Sequence, residues 1–187
     1  MFFKRKKYND GTREVYFCGL KVFKYKKYND YNKYLVDKAR KLGVTIGENC
    51  RLIDEPSWGS EPYFIEVEDN VVISFDVVFL THDGCVHTCR QYCDSDINKF
   101  GKIKIGKNCF IGCRSTILPN VTIGDNCIVG ACSVVTKSIP DGEVWAGNPA
   151  KFICRTEALA KKLYEKSKTP EQIELCEYVK KVRNIKK

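Results

Sequence analysis

The chain has 187 residues, a formal net charge of +9 and 43% hydrophobic residues, a composition that suits one domain with terminal additions. It contains no apolar run of about eighteen residues and no N-terminal apolar stretch of secretory length, so we expect a cytoplasmic protein without a transmembrane helix. The eleven cysteines are an odd number, which argues against a disulfide framework.

Residues 1–43 are predicted to form a basic hairpin followed by a helix. Residues 1–41 contain thirteen Lys or Arg and four Asp or Glu, and therefore hold the whole net charge. The turn signal NDG at 9–11 precedes residues 13–27, which alternate and are rich in aromatic side chains, as in a hairpin. The helix is predicted over 30–43, where Gly43 ends it, and it would plug one end of the adjoining fold.

The basic surface of this N-terminal segment fits three interpretations. The favoured one is a solvated cap, and the second is peripheral contact with an anionic membrane through residues 1–27. A nucleic-acid surface is the least favoured, so no nucleic-acid partner is expected.

An aliphatic residue returns every six positions between residues 105 and 135. The period of six matches neither an α-helix nor a two-faced strand. Three six-residue sides close a triangular turn of the chain, about eighteen residues long, and successive turns pair as parallel strands. The inward positions are the aliphatic residues and a small or apolar residue four positions after each of them. The aliphatic series is Ile105, Ile111, Ile117, Ile123, Val129 and Val135.

Glycine follows several of these aliphatic residues and is predicted to relieve backbone strain at the corners of the coil. These glycines are Gly106, Gly112, Gly124 and Gly130.

The same phase of six begins earlier in the chain and is interrupted twice. Ile46 and Leu52 belong to it, and so do Val67, Ile73 and Phe79. The interruptions are predicted at 54–64 and at 83–102, and the second is polar and long enough to be functional.

Cysteines occur both inside the predicted coil and in its long loop. Cys50, Cys109 and Cys127 fall on inward positions, where a thiol acts as a small hydrophobic group. In the loop, Cys85, Cys89 and Cys93 are spaced by four, which favours free thiols over a metal site because further ligands are lacking.

Two helices are predicted after the coil, over 157–166 and 170–183. Thr169 would cap the second helix, with Pro170 at its first position. An apolar stripe on that helix, made of Leu175, Val179 and Val182, indicates packing rather than function.

The chain resembles the hexapeptide-repeat acyltransferases, and most of all those that O-acetylate sugars of bacterial capsule and lipopolysaccharide. The matching stretches are GSEPYFIEVEDNVVIS at 59–74, FLTHDG at 79–84 and the continuous segment 105–153. The resemblance implies an all-β, left-handed parallel β-helix over 44–155 with a protruding loop, an N-terminal cap over 1–43 and C-terminal helices over 156–187. It also implies a homotrimer with its sites between neighbouring chains.

His82 is the predicted catalytic base. It ends a side of the coil where the long loop begins, and an imidazole accepts protons near neutral pH. Its place in FLTHDG matches the family's catalytic histidine. Asp83 is predicted to orient the imidazole, or else to shape the turn, with Glu61 and Asp76 as alternatives.

Further site residues follow from position in the family. The N–H group of Gly112 would stabilise the negative oxygen of the tetrahedral intermediate. Glu61, His87 and Arg90 would contact the acceptor.

The resemblance implies acetyl-CoA as co-substrate, bound by Gly130 and Ala131 along its pantetheine arm and by Thr136, Lys137 and Arg155 at its phosphate end. Lys137 has a second interpretation as a solvated corner. No metal is expected, since the three-histidine zinc site that this type of coil can carry needs more than the two histidines present.

The leading functional hypothesis is therefore an acetyl-CoA-dependent O-acetyltransferase that acts on a sugar or lipid-linked oligosaccharide of a surface polysaccharide by direct transfer. One alternative is an N-acetyltransferase of an amino sugar nucleotide, or of a xenobiotic. Another is a β-helix that serves as a non-catalytic scaffold or binding module.

Overall fold

The computed structural model describes residues 3–7, 12–17, 20–26, 30–93 and 96–185, with side chains over 30–93 and 96–181. Three parallel sheets wind around one core and form the β-helix that the repeat predicts, with the left hand that the family resemblance implies. The chain visits the three sheets in turn, and most sides of a turn are strands of two or three residues.

Sheet one contains β4 (Thr45–Ile46), β6 (Ile65–Val67), β9 (Ile103–Ile105) and β12 (Thr122–Ile123). Sheet two contains β5 (Arg51–Leu52), β7 (Val72–Ile73), β10 (Phe110–Ile111), β13 (Ile128–Val129), β15 (Glu143–Ala146) and the antiparallel β16 (Lys151–Arg155). Sheet three contains β8 (Val78–Phe79), β11 (Thr116–Ile117) and β14 (Val134–Val135).

The register confirms a turn of eighteen residues in the regular part of the coil. Ile105 pairs with Ile123, Ile111 with Val129, and Ile117 with Val135. All six side chains are fully buried, so like residues stack along the axis of the coil. The inward positions of the hexad are therefore as predicted.

The small inward positions also carry hydrogen bonds between turns. Cys109 donates its thiol to the Gly124 carbonyl at 3.0 Å, and Cys127 donates to the Pro140 carbonyl at 3.0 Å. The buried Ser115 hydroxyl donates to the Gly130 carbonyl at 2.9 Å. The hydrogen bond with Cys127, and after it burial, raise the pKa of the Cys109 thiol, which keeps it neutral.

The predicted role of the corner glycines is wrong. Gly106, Gly112, Gly124 and Gly130 do not have positive φ; the left-handed residues lie two positions later. These are Asn49, Asn70, Asp76, Asn108, Arg114, Asn120, Asn126 and Cys132. Asn and Asp tolerate this conformation better than other residues with a side chain, so the corners use them instead of glycine.

The glycines are needed because successive turns approach closely. A Cβ on Gly106 would collide with Asp125 Oδ1 and would lie 2.7 Å from the Gly124 carbonyl carbon. A Cβ on Gly112 would lie 2.5 Å from the Ala131 nitrogen. A side chain at these positions would push neighbouring turns apart.

Helix α1 (Tyr31–Leu42) closes the first turn of the coil, as predicted. Asp30 caps its first turn, and Gly43 ends it with a φ of 103°. Leu35, Val36 and Ala39 join the core. Asn32 accepts a hydrogen bond from the Leu52 N–H at 2.7 Å and so pairs the free edge of sheet two.

The N-terminal segment has one strand more than the predicted hairpin. Strands β1 (Phe3–Lys7), β2 (Thr12–Phe17) and β3 (Leu20–Lys26) form an antiparallel sheet in that order. The basic run 4–7, which precedes the predicted hairpin residues 13–27, is the additional strand and pairs with β2. The predicted turn at 9–11 lies outside the described residues.

The two predicted C-terminal helices are α3 (Thr156–Ser167) and α4 (Pro170–Ile185). Thr169 caps α4 through its hydroxyl, which accepts from the Gln172 N–H at 3.4 Å. The predicted packing of the α4 stripe is not seen within the chain, since Leu175 is 51% and Val179 43% exposed. The side chain of Val182 lies outside the described part. Among the described residues, no helix has the length and apolarity to cross a membrane.

Candidate active site

The candidate site lies where the coil first departs from its period. The segment 57–61 runs beside 78–82 of the next turn. Ser57 pairs with Val78, and the ring of Trp58 stacks on that of Phe79 with centroids 5.1 Å apart. The predicted break at 54–64 is therefore too wide, because residues 57 and 58 still form a side of the coil.

Gly59 lets the chain cross closely over the next turn. It has a φ of 68°, and a Cβ there would lie 3.0 Å from both the Phe79 carbonyl oxygen and Thr81 Oγ1. The chain then presents Ser60 and Glu61 beside Thr81 and His82 before a short 3-10 helix, Pro62–Phe64, leads into β6.

The long loop begins and ends at one paired neck. His82 bridges to Phe100, the Gly101 N–H donates to the Thr81 carbonyl at 2.8 Å, and the Asp83 N–H donates to the Lys99 carbonyl at 3.0 Å. Within the loop, helix α2 (Val86–Cys89) and a 3-10 turn, Arg90–Tyr92, are formed. This neck fixes the backbone of His82 although the loop itself is aperiodic.

Glu61 is the partner of the imidazole. Its Oε2 lies 3.0 Å from His82 Nδ1 and accepts from the Thr81 hydroxyl at 2.6 Å. These hydrogen bonds, first that from Thr81 and then that from His82, lower the pKa of the Glu61 carboxyl, which remains ionised near neutral pH. A carboxylate only accepts, so Nδ1 carries the proton of the neutral ring and Nε2 presents its lone pair.

The imidazole is more exposed to solvent than its carboxylate partner. The side chain of His82 is 48% exposed, whereas that of Glu61 is 15% exposed and Thr81 is buried. Phe100 stands edge-on to the imidazole at 6.2 Å, and Phe64 stands edge-on to Phe100 at 6.5 Å. The arrangement is a positioned base at the surface with an aromatic wall on one side.

Of the two roles predicted for Asp83, orienting His82 is wrong and shaping the turn is confirmed. Asp83 Oδ2 forms an ion pair with Lys99 at 2.6 Å, and Oδ1 accepts from the Cys85 N–H at 3.0 Å. The Lys99 ammonium holds the pKa of the Asp83 carboxyl far below its usual range. Asp83 thus shapes the turn, and Asp76 forms a weak pair with Arg114 at 3.5 Å.

The prediction for Gly112 is also wrong in geometry. Its N–H donates to the Val129 carbonyl at 2.8 Å, as part of the pairing between turns, and the residue is buried. This N–H is therefore occupied and cannot receive a developing oxyanion.

The two loop residues predicted to contact the acceptor differ in whether their side chains are already bonded within the loop. His87 is exposed on α2. Arg90 is held by the Ile97 carbonyl at 3.1 Å, by Asn98 at 2.9 Å and by Asp96 at 3.1 Å. Arg90 ties the loop together, whereas His87 faces solvent.

The predicted coenzyme residues lie on two different edges of the prism. Thr136 follows β14, and His82 follows β8, on the same edge of the prism. Strands β14 and β8 are separated by two strand spacings, or about 10 Å. Gly130 and Ala131 follow β13, on the edge between sheets two and three. The structure therefore does not gather the coenzyme residues and His82 around one groove within a single chain.

The remaining coenzyme residues are exposed. Thr136 and Lys137 are open to solvent. Arg155 lies at the end of β16, 60% exposed, with its guanidinium 3.2 Å from Glu143 Oε1. A phosphate on Arg155 would have to compete with this carboxylate.

The loop cysteines have no metal-binding arrangement. Over the described ranges, which omit residues 94 and 95, no group of three or more His, Cys, Asp or Glu side chains is placed to hold a metal ion. Cys85, Cys89 and Cys93 are free and exposed.

Comparison with known proteins gives one family. The sequence profile described as "Bacterial transferase hexapeptide (six repeats)" matches residues 102–137. Protein CapG of Staphylococcus aureus is 52% identical over 131 residues, which cover 69% of this chain and 76% of the relative.

Solved structures agree with this likeness. A maltose O-acetyltransferase from Clostridium difficile 630 superposes with a TM-score of 0.53 at 29% identity, over 69% of this chain and 78% of the other. A galactoside acetyltransferase in complex with coenzyme A gives a TM-score of 0.50 at 26% identity, over 69% and 73% of the two chains.

Proposed function

Because the chain belongs to the hexapeptide-repeat acetyltransferase family, we propose that it transfers acetyl from acetyl-CoA to a sugar hydroxyl, with His82 as the general base. The observation that carries this proposal is the Glu61–His82 contact of 3.0 Å at the mouth of the loop. It leaves the basic nitrogen of an exposed imidazole facing outward.

The transfer needs one base and no covalent acyl-enzyme. His82 Nε2 removes the proton of the sugar hydroxyl while its oxygen attacks the thioester carbonyl carbon. The carbon–sulfur bond then breaks, and the imidazolium returns the proton to the leaving sulfur, so that the products are the acetyl ester and free coenzyme A. Glu61 stabilises the imidazolium between the two steps because it stays ionised beside it.

Coenzyme A would bind between two chains of a homotrimer. Its proposed contacts, Gly130 and Ala131 on one edge and Thr136 and Lys137 on another, lie on different edges of one prism. Two neighbouring prisms would bring one edge of each together beside His82. Arg155 would contact the phosphate end after release from Glu143. Light scattering would test this assembly, with a mass of three chains expected and a monomer contradicting it.

The acceptor is proposed to be a sugar of a surface polysaccharide, free or lipid-linked. Two similar structures are acetyltransferases named for sugars, maltose and galactoside. Phe100, 51% exposed beside the imidazole, offers an apolar wall for a sugar ring, and the exposed His87 lies in the same loop. The polysaccharide context comes from the resemblance of residues 59–74, 79–84 and 105–153 to enzymes of that branch.

Acetyl-CoA turnover with a panel of sugars and sugar nucleotides tests the proposal. The His82→Ala variant should lose about a thousandfold in kcat, since a positioned general base contributes this order of rate. Protection of the variant by coenzyme A against heating should persist, because the base does not hold the coenzyme. A loss below tenfold would remove His82 from the chemistry, and absence of both turnover and protection in the wild type would favour a scaffold.

A further inference from the structure

The N-terminal sheet separates its residues by face. Directly paired residues of neighbouring strands share a face, and faces alternate along each strand except where the register shifts at Val22 of β3. The pairs Lys4–Tyr16–Lys21 and Lys6–Glu14–Lys24 cross all three strands, and Thr12 pairs with Lys26. We call the face formed by these eight residues the lysine face.

The opposite face has a different composition. By the same register it carries the apolar and aromatic residues of the sheet, together with three basic residues near one end. Its members are Phe3, Arg5, Lys7, Arg13, Val15, Phe17, Leu20, Phe23 and Tyr25. Val22 lies at a bulge in β3 and has no direct partner, so the register assigns it to neither face. Among the eight paired residues of the lysine face only Glu14 is acidic, so five lysines leave it with four net positive charges at neutral pH.

The lysine face is suited to a partner with many negative charges distributed over an extended surface. Lysine is a compact point charge without the planar fork that recognises single phosphates or bases, and both arginines of the sheet, Arg5 and Arg13, lie on the other face. Nucleic-acid readers rely on arginine for bidentate contacts. Tyr16, on the central strand in the end row of the lysine face, is a residue type that favours the headgroup region of a bilayer.

We propose that the lysine face docks the protein on a membrane surface rich in anionic phospholipid headgroups. The attachment is electrostatic and reversible, and needs no helix that enters the bilayer. Each lysine within a Debye length of the surface adds to the attraction, and screening by salt weakens it. The inference does not depend on the acetyl transfer proposed above.

Vesicle sedimentation of the full chain tests this proposal. Vesicles of phosphatidylcholine with about one third phosphatidylserine should bind the protein at physiological salt, and pure phosphatidylcholine should not. Raising the salt to about 0.5 M should release it. Absence of binding to the anionic vesicles would overturn the proposal.

Two variants with equal losses of charge separate the faces. Lys4→Gln, Lys21→Gln and Lys26→Gln together should lower the partition coefficient about a hundredfold, at about fivefold for each lysine. Arg5→Gln, Lys7→Gln and Arg13→Gln remove the same charge from the opposite face and should lower it less than tenfold. Equal losses in both variants would show that net charge acts without the lysine face, and would overturn the proposal.

Two further controls complete the experiment. Replacement of Lys4, Lys21 and Lys26 by arginine keeps the charge and should keep vesicle binding, while loss of binding would mean that charge is not the determinant. Duplex DNA, titrated at the same salt, should bind more weakly than the anionic vesicles. Tighter binding to DNA would replace the membrane with nucleic acid as the partner. Circular dichroism and thermal midpoints should be the same for all variants.

Discussion

The regular coil over 105–135 and the opening formed by 57–61 and 80–101 differ in whether their contacts repeat along the chain. In the coil each position has the same surroundings eighteen residues later, and its inward side chains are fully buried. In the opening no contact is repeated eighteen residues later, and the exposed imidazole of His82 lies there. The repeat thus provides a rigid frame, and chemistry is placed where the repeat is interrupted.

The largest expected effect is a loss of stability when a buried residue of the regular coil is truncated. Ile123 is fully buried between Ile105 and Ile139, so Ile123→Ala should lower the free energy of unfolding by about 3 kcal/mol through lost burial and a cavity. The exposed neighbour in the same strand is Thr122, and Thr122→Ala should cost less than about 1 kcal/mol. Urea denaturation measures both, and equal losses would contradict the inward and outward assignment.

A second variant tests the opening without touching the frame. Glu61→Gln keeps the shape but can turn an amide N–H toward His82 Nδ1, which favours the tautomer with the proton on Nε2. The value of kcat should fall about a hundredfold, with little change in KM for acetyl-CoA.

Asp83→Asn is the matched control, since it removes one carboxylate from the residue next to His82. It should leave kcat within about twofold and should loosen the loop, because the Lys99 partner is lost. If Asp83→Asn reduced kcat more than Glu61→Gln, the assignment of the imidazole partner would be reversed.

The sequence predicted the coil well because a repeated environment leaves a repeated signal. Even there, the role of the glycines was wrong, since a sequence shows that a small residue returns but not whether φ or a close approach demands it. Strand β1 was not predicted because its run of Lys and Arg is typical of a solvated segment.

The sequence named Asp83, Glu61 and Asp76 as candidate partners of His82, but proximity along the chain put Asp83 first. Asp83 adjoins His82 along the chain, but Glu61 adjoins it across turns. The signal was present: Ile46 pairs with Val67 and Leu52 with Ile73, each twenty-one residues apart, and Glu61 lies twenty-one residues before His82. Extending that spacing past the second strand would have placed Glu61 beside the base. The Gly112 assignment failed because only coordinates show which N–H groups the pairing between turns already uses.

The smallest expected effect is a gain in stability from a substitution at a left-handed corner of the coil. Cys132 has a φ of 57°, a conformation that Asn or Asp adopts at six of the eight left-handed corners. Cys132→Asn should therefore raise the free energy of unfolding by about 1 kcal/mol, and Asn70→Cys, at an equivalent exposed corner with a φ of 59°, should lower it by a similar amount. Thermal denaturation of the two variants measures the opposite shifts. A loss of stability for Cys132→Asn would mean that the thiol is held there by a neighbouring chain or ligand, and that this corner belongs with the opening and not with the frame.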